Sequence, residues 1–246
     1  MNEERSEASH LLSNLRTLNV RVSSAMRHSK LTGTTPTLIA VSKGHTCEAI
    51  RELYHLGVRH FAESYVQEYT KKVEELSDLS DISWHFVGAL QSNKAKKVIP
   101  TRCLIHSLDR LSLFEALSKS ARPELPIQVL VQLQVDPLDR NKSGCTLEEA
   151  RLLCSLLVKN PGFDWQGFMG IGPLGKSDDL LETMYLELAD KARSLWEEFS
   201  LRDPSRELRP MKLSLGMSDD LEVALRAGST HIRIGTALFG ERPQRG

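Results

Sequence analysis

From residue 6 to about residue 28, apolar side chains recur at steps of three and four: Ala8, Leu11, Leu12, Leu15, Leu18, Val22 and Met26. That spacing is the stripe of an amphipathic helix. It stops before Gly33, Thr34, Thr35 and Pro36, and the pattern then changes. Short β-branched or apolar runs alternate with longer segments of helical period, which predicts repeated βα units and a parallel sheet. Eight runs read as strands: 37–42, 58–62, 84–87, 103–107, 127–135, 165–171, 211–215 and 231–234. Helices are predicted near 46–56, 64–76, 93–98, 111–121, 147–159, 179–199 and 219–227. Eight strands in 246 residues predict an α/β fold, a single (β/α)8 barrel of the TIM type with an extra N-terminal helix over 1–30 covering an open side. A doubly wound open sheet competes, because local pattern does not show closure. One domain over 1–246 is expected, its barrel over 37–242. Segments 136–144 and 201–209 read as exposed loops, the first a candidate cover for the barrel mouth.

In either architecture ligands meet the C-terminal ends of the strands, so the residues just past each run carry the candidate chemistry. The first run delivers Lys43 to that rim, where apolar neighbours leave more of the amine free to attack an aldehyde; a solvated strand-end lysine is the plainer alternative. After the seventh run come Leu215, Gly216, Met217, Ser218, Asp219 and Asp220. Ser218 reads as the N-cap of the next helix, with its hydroxyl and nearby N–H groups able to hold phosphate and both aspartates facing solvent. Without a ligand the same residues make an ordinary helix start. In the last run Ile232 and Ile234 share one face, which turns Arg233 into the barrel, where it needs an anionic or hydrogen-bonding partner or an interior carboxylate. Gly235 and Thr236 then offer N–H groups and a hydroxyl beside the Ser218 turn. The third exit brings His85, which reads as a satisfied interior residue ahead of a proton shuttle. Ser64 and Ser214 are lesser candidates at the second and seventh strands.

Composition narrows the function. The 32 Lys and Arg balance the 32 Asp and Glu, so no overall field for nucleic acid or an anionic membrane is expected. The four cysteines, Cys47, Cys103, Cys145 and Cys154, form no C-x-x-C pair, which argues against a disulfide framework or a zinc site. The polar, acidic N-terminus and the lack of a long apolar run predict a soluble cytoplasmic protein.

Five motifs in order carry a resemblance. They are Ala40-Val41-Ser42-Lys43, then Phe61-Ala62-Glu63-Ser64-Tyr65-Val66-Gln67-Glu68, then Trp84-His85-Phe86-Val87-Gly88-Ala89-Leu90-Gln91-Ser92-Asn93-Lys94, then Leu215-Gly216-Met217-Ser218-Asp219-Asp220, and Arg233-Ile234-Gly235-Thr236-Ala237-Leu238-Phe239-Gly240. From about residue 37 to 242 the chain resembles the YggS/PROSC family of pyridoxal phosphate homeostasis proteins. The resemblance implies a barrel like the N-terminal domain of alanine racemase, a fold-type III protein without the C-terminal β domain. It implies pyridoxal 5′-phosphate (PLP) bound as a Schiff base on Lys43, with Met217, Ser218, Gly235 and Thr236 around the phosphate. Arg233 would face the pyridine nitrogen, with Ser64, His85 and Ser214 nearby. A guanidinium only donates, so the ring nitrogen would stay unprotonated and the ring a weaker electron sink. The chain departs from the family pattern where Phe-Gly-Glu-Asn becomes Phe61-Ala62-Glu63-Ser64, where Ala89 replaces a proline, and where Gly44-His45-Thr46 follows the lysine. Ser64 lacks the amide of the usual asparagine, so that contact would be lost or bridged by water.

The expected function is non-catalytic: a carrier or regulator in intracellular vitamin B6 homeostasis, a monomer whose partners are PLP and apo PLP-dependent enzymes. An amino-acid racemase is the alternative; it needs a second base, for which Tyr65 or His85 would have to serve. A Schiff-base aldolase barrel acting on a sugar phosphate would show similar loops.

Overall fold

The computed structural model describes residues 2–29, 34–136, 144–200 and 209–241. Eight parallel strands close into a barrel in chain order: β1 (Thr37–Val41), β2 (His60–Glu63), β3 (Ser83–Phe86), β4 (Leu104–Leu108), β5 (Ile127–Gln132), β6 (Phe163–Met169), β7 (Lys212–Ser214) and β8 (His231–Ile234). Closure rests on β1 pairing with β8, Thr37 opposite His231 through Ala40 opposite Ile234. The open-sheet alternative falls there. All eight predicted runs are strands, although several are shorter than the sequence pattern, because residues such as Ser42 and Val87 already turn into the loops.

The outer layer is α1 (Asn2–Met26), α2 (Cys47–His55), α3 (Val66–Glu75), α4 (Ala95–Val98), α5 (Leu111–Ser118), α6 (Leu147–Leu157), α7 (Asp178–Ser200), α8 (Leu221–Arg226) and α9 (Thr236–Phe239). Thr46 caps α2 by accepting from the Ala49 N–H, and Thr146 and Glu149 form a capping box on α6. The fourth helix is only one α turn between 3₁₀ turns at Ser92–Lys94 and Ile99–Thr101, since Pro100 cannot continue the ladder. Leu11, Leu18 and Ala25 of α1 are buried against Leu221, Leu225, Ile232 and Leu238, so the N-terminal stripe covers the β8 side of the barrel. Of the loops expected at 136–144 and 201–209, residues 137–143 and 201–208 lie outside the described residues.

Alternation along each strand decides what fills the interior. Ala40, Phe61, Ile232 and Ile234 face the helices, while Ile39, Val41 and Ala62 form a small apolar cluster of their own and Leu104, Leu130 and Met169 another. The rest of the interior is polar: His85, His106, Gln132, Ser214, His231 and Arg233 are all buried. Buried polar groups are tolerated only when hydrogen-bonded, and most of these are. Gln166 sits at a register shift between β5 and β6, and its amide oxygen accepts from Lys212 Nζ at 2.6 Å.

Candidate functional site

At the C-terminal ends of β1, β2, β7 and β8 lies a cavity of about 240 Å³. Lys43, Ser64, Met217, Ser218, Arg233, Gly235 and Thr236 all line it, with Val41, His45, Val87, Ile171 and Asp219. Four chain segments separated by up to two hundred residues therefore meet where the sequence pattern placed them. A second chamber of about 560 Å³ shares Lys43, Ser64, Val87 and Ile171, and its other lining residues include the polar Tyr65, Gln91, Lys94 and Gln132.

The backbone on both sides of Lys43 is pinned. Lys72 Nζ donates to the Ser42 carbonyl at 2.7 Å and to Glu63 Oε1 at 2.6 Å, and Ser42 Oγ donates to the same carboxylate oxygen at 2.7 Å. On the other flank the Gly44 N–H donates to Glu68 Oε2 at 2.8 Å. Glu63 is fully buried and Lys72 nearly so. Burial pushes the Glu63 carboxyl up, and the Lys72 ammonium and the Ser42 hydroxyl pull it back down.

The turn after β7 differs from its sequence reading. The cap residue of α8 is Asp220, and Ser218 instead accepts from the Ala237 N–H at 3.2 Å, tying the seventh loop to the eighth. Asp220 does not face solvent: its carboxylate accepts from the Tyr185 hydroxyl at 2.6 Å and from the Met217 N–H at 2.5 Å. Gly216 makes the turn at φ +87°, a conformation that glycine adopts without strain. Among the described residues the N–H groups of Ser218, Gly235 and Thr236 have no acceptor. Three such donors beside two hydroxyls suit a phosphate.

Arg233 is fixed inside the barrel by neutral acceptors. Nη1 donates to the Ser214 carbonyl at 2.7 Å and to Ser214 Oγ at 2.8 Å, and Nη2 donates to the Gly170 carbonyl at 2.9 Å. No interior carboxylate pairs with it among the described residues, so that alternative is set aside. Burial lowers its pKa, and the side chain stays charged. Two of its five N–H groups have no protein partner among the described residues, and the side chain lines the cavity.

Ser214 and His85 are the two candidates that do not line the cavity; both lie in the barrel interior beneath it. Ser64 does line it. A Cβ on Gly88 would come within 2.0 Å of the Ser64 carbonyl oxygen, so the third exit packs directly on the second only because residue 88 is glycine.

Residues 11–243 match the family described as alanine racemase, N-terminal domain. A protein of Synechocystis sp. is 40% identical over 83% of this chain and 91% of its own length, and one of Escherichia coli is 37% identical over 84% and 86%. Both are named pyridoxal phosphate homeostasis protein. This chain belongs to that family. Among solved structures, PipY of Synechococcus elongatus with PLP bound matches this family member at a TM-score of 0.75 and 36% identity, over 94% of this chain and all of PipY. The alanine racemase of E. faecalis, 15% identical with a TM-score of 0.60, shares the fold over 91% of this chain and 58% of its own.

The pyridoxal phosphate homeostasis family thus supplies the cavity's context. Sequence reasoning had missed His45 there, which stacks on Phe239 with ring centroids 4.6 Å apart; no spacing signal pairs them.

Proposed function

We propose that this protein holds PLP as a Schiff base on Lys43 and serves cofactor storage and delivery in the cytoplasm, as a monomer, with no fast turnover of its own. The observation that carries the reading is the donor set of one cavity: Lys43, unsatisfied N–H groups at Ser218, Gly235 and Thr236, and the spare N–H groups of Arg233. A primary amine, a cradle for a dianion and a permanent donor for a ring nitrogen fit this cofactor part by part. Bound there, PLP would supply an electrophilic aldehyde carbon, kept masked as the Schiff base. Lys43 would provide the amine, the loops at Ser218 and at Gly235–Thr236 would hold the phosphate, and Arg233 would donate to the ring nitrogen without protonating it, which would restrain carbanion chemistry. Relatives bearing the homeostasis name support the non-catalytic role. Apo PLP-dependent enzymes are the partners this role implies.

The racemase reading loses one of its candidate bases. His85 is buried in the interior and its pKa falls well below the ordinary histidine value because of desolvation and the nearby charges of His60, His231 and Lys212. No helix among the described residues is long and apolar enough to cross a membrane.

Purified protein loaded with PLP should absorb in the near-visible range and retain a pyridoxyl group on Lys43 after borohydride reduction, located by peptide mass spectrometry. The Lys43→Ala variant should lose the adduct completely while keeping weak, reversible binding through the phosphate loops. An unmodified Lys43 in reduced wild-type protein would rule the assignment out.

Arg21 on α1 gives a second expectation. Its Nη2 donates to the Ser218 carbonyl at 3.0 Å while Nε donates to Glu222 Oε1 at 2.6 Å, so the N-terminal helix holds the phosphate turn from behind. Arg21→Ala should cost about 1 kcal/mol in urea unfolding and weaken PLP affinity several-fold in an absorbance titration. Unchanged affinity would mean that the turn is held without α1.

A further inference from the structure

A column of polar side chains runs through the barrel beneath Arg233. His60, His85 and His106 stand at inward positions of the neighbouring strands β2, β3 and β4. His60 Nδ1 lies 3.0 Å from His85 Nε2, and His85 Nδ1 lies 2.9 Å from His106 Nε2. His106 Nδ1 is 3.1 Å from Ser214 Oγ, the same oxygen that accepts from Arg233 Nη1 at 2.8 Å. His85, His106, Ser214 and Arg233 are buried. His60 is half-buried and lines a separate cavity of about 320 Å³ with Thr37 and Arg59, at the strand starts. The column therefore connects the opposite face of the barrel to the arginine of the cofactor cavity.

A neutral imidazole carries one N–H, so the three rings can run their hydrogen bonds in either of two directions. Arg233 decides between them. Because a guanidinium only donates, Ser214 Oγ accepts from Nη1, and the Ser214 proton then needs an acceptor of its own. His106 Nδ1 is the one within reach among the described residues. His106 consequently carries its proton on Nε2 and donates to His85 Nδ1, His85 donates from Nε2 to His60 Nδ1, and His60 carries its proton on Nε2. In the reverse direction two donors would meet at Ser214 Oγ and its hydroxyl proton would be buried without a partner, which is costly. The rings stay neutral because burial disfavours their charged forms and Lys212, His231 and Arg233 surround them with positive or potentially positive charge.

We infer that Ser214, His106, His85 and His60 are positioning residues, a one-way hydrogen-bond chain that takes up the Ser214 hydroxyl proton, fixes its oxygen toward Arg233 and so holds the guanidinium with its spare N–H groups left to the cofactor cavity. The effect on the cofactor rests on the proposed PLP site; the direction of the chain does not.

Two measurements separate these levels. In cofactor-free, ¹⁵N-labelled protein at pH 7.5, long-range ¹⁵N–¹H correlation should show all three rings as neutral Nε2–H tautomers. An Nδ1–H tautomer at His85 or His106 overturns the direction. PLP titration should then compare wild type with His106→Phe, which removes the acceptor, and His106→Asn, which keeps an oxygen where Nδ1 stood. His106→Phe should bind about tenfold more weakly, the scale of one buried hydrogen bond, with a shifted absorbance maximum for the bound cofactor. His106→Asn should restore both. Ser214→Ala should shift both in the same direction as His106→Phe and serves if the phenylalanine variant does not fold. Wild-type affinity and spectrum in a folded His106→Phe or Ser214→Ala protein refute the positioning role. A wild-type protein that takes up no PLP refutes the cofactor site, while the tautomers still decide the chain.

Discussion

Unfolding at acid pH should take up more than one proton, and stability should fall steadily once the pH drops below about 6. The groups responsible are His85, His106 and His231, all buried within the barrel. Desolvation is the largest cause in each case: it lowers His85 and His106 well below the ordinary histidine value and takes His231 down to about 3. In the unfolded chain each ring titrates at about 6.5. A folded pKa below the unfolded one means that the unfolded state binds the extra proton. The stability these rings contribute is therefore complete above about pH 6.5 and is lost as the pH falls toward their folded values. A ring that stays neutral in the folded barrel while its unfolded counterpart is charged costs about 1.4 kcal/mol per pH unit. His231, with its folded value of about 3, should therefore alone remove about 2 kcal/mol by pH 5, and His85 and His106 add to the loss in the same direction. Glu63 opposes the trend with one carboxyl that burial pushes up. Urea unfolding at several pH values between 7.5 and 5 gives the proton uptake directly. A slope near zero would mean that the rings already hold protons in the folded barrel.

This polar column is also where the chain was least legible as sequence. The strands announced themselves through β-branched and apolar runs, and the alternation of Ile232 and Ile234 correctly turned Arg233 inward. Lys43 and the Ser218–Thr236 loops followed from the rule that ligands meet strand ends. His60, His85 and His106 are each an isolated histidine in an ordinary run, about twenty to twenty-five residues from the next. Only the side-by-side pairing of β2, β3 and β4 brings them into one column. Laying the eight strands side by side with their inward positions marked would have shown the column, since the side-chain period of two fixes each ring's face. The reading of Asp220 as solvent-facing failed for a similar reason. It counted the first turn of α8 alone, whereas Tyr185 comes from α7, whose packing beside α8 has no local signature. Ser218 likewise looked like a cap by residue type, but the turn runs two residues further before α8 begins.

Replacing Lys72 with methionine should be among the most damaging changes outside the cofactor cavity, costing about 3–5 kcal/mol. Glu63 is fully buried, and one of its oxygens, Oε2, already lacks a hydrogen-bond partner. Lys72→Met would leave that carboxylate with the Ser42 hydroxyl as its remaining partner among the bonds described, and the carboxyl would have to take up a proton or remain charged in the interior. The penalty comes chiefly from the stranded charge, more than from the lost attraction, so removing both partners should recover most of it. Lys72→Met combined with Glu63→Gln should therefore lie much closer to wild type than the single variant, and the interaction energy from the four-protein cycle should exceed about 2 kcal/mol. The same pair sets the geometry at Lys43, because Lys72 also holds the Ser42 carbonyl one residue away. In the double variant, where stability returns but that hold does not, formation of the pyridoxyl adduct on Lys43 should remain slow. Wild-type adduct formation there would show that Lys72 is not needed to place the lysine, whose neighbours are still held by the Gly44–Glu68, His45–Ser42 and Ser42–Ala62 bonds, whereas additive unfolding energies would show that Glu63 does not depend on Lys72 for its place in the core.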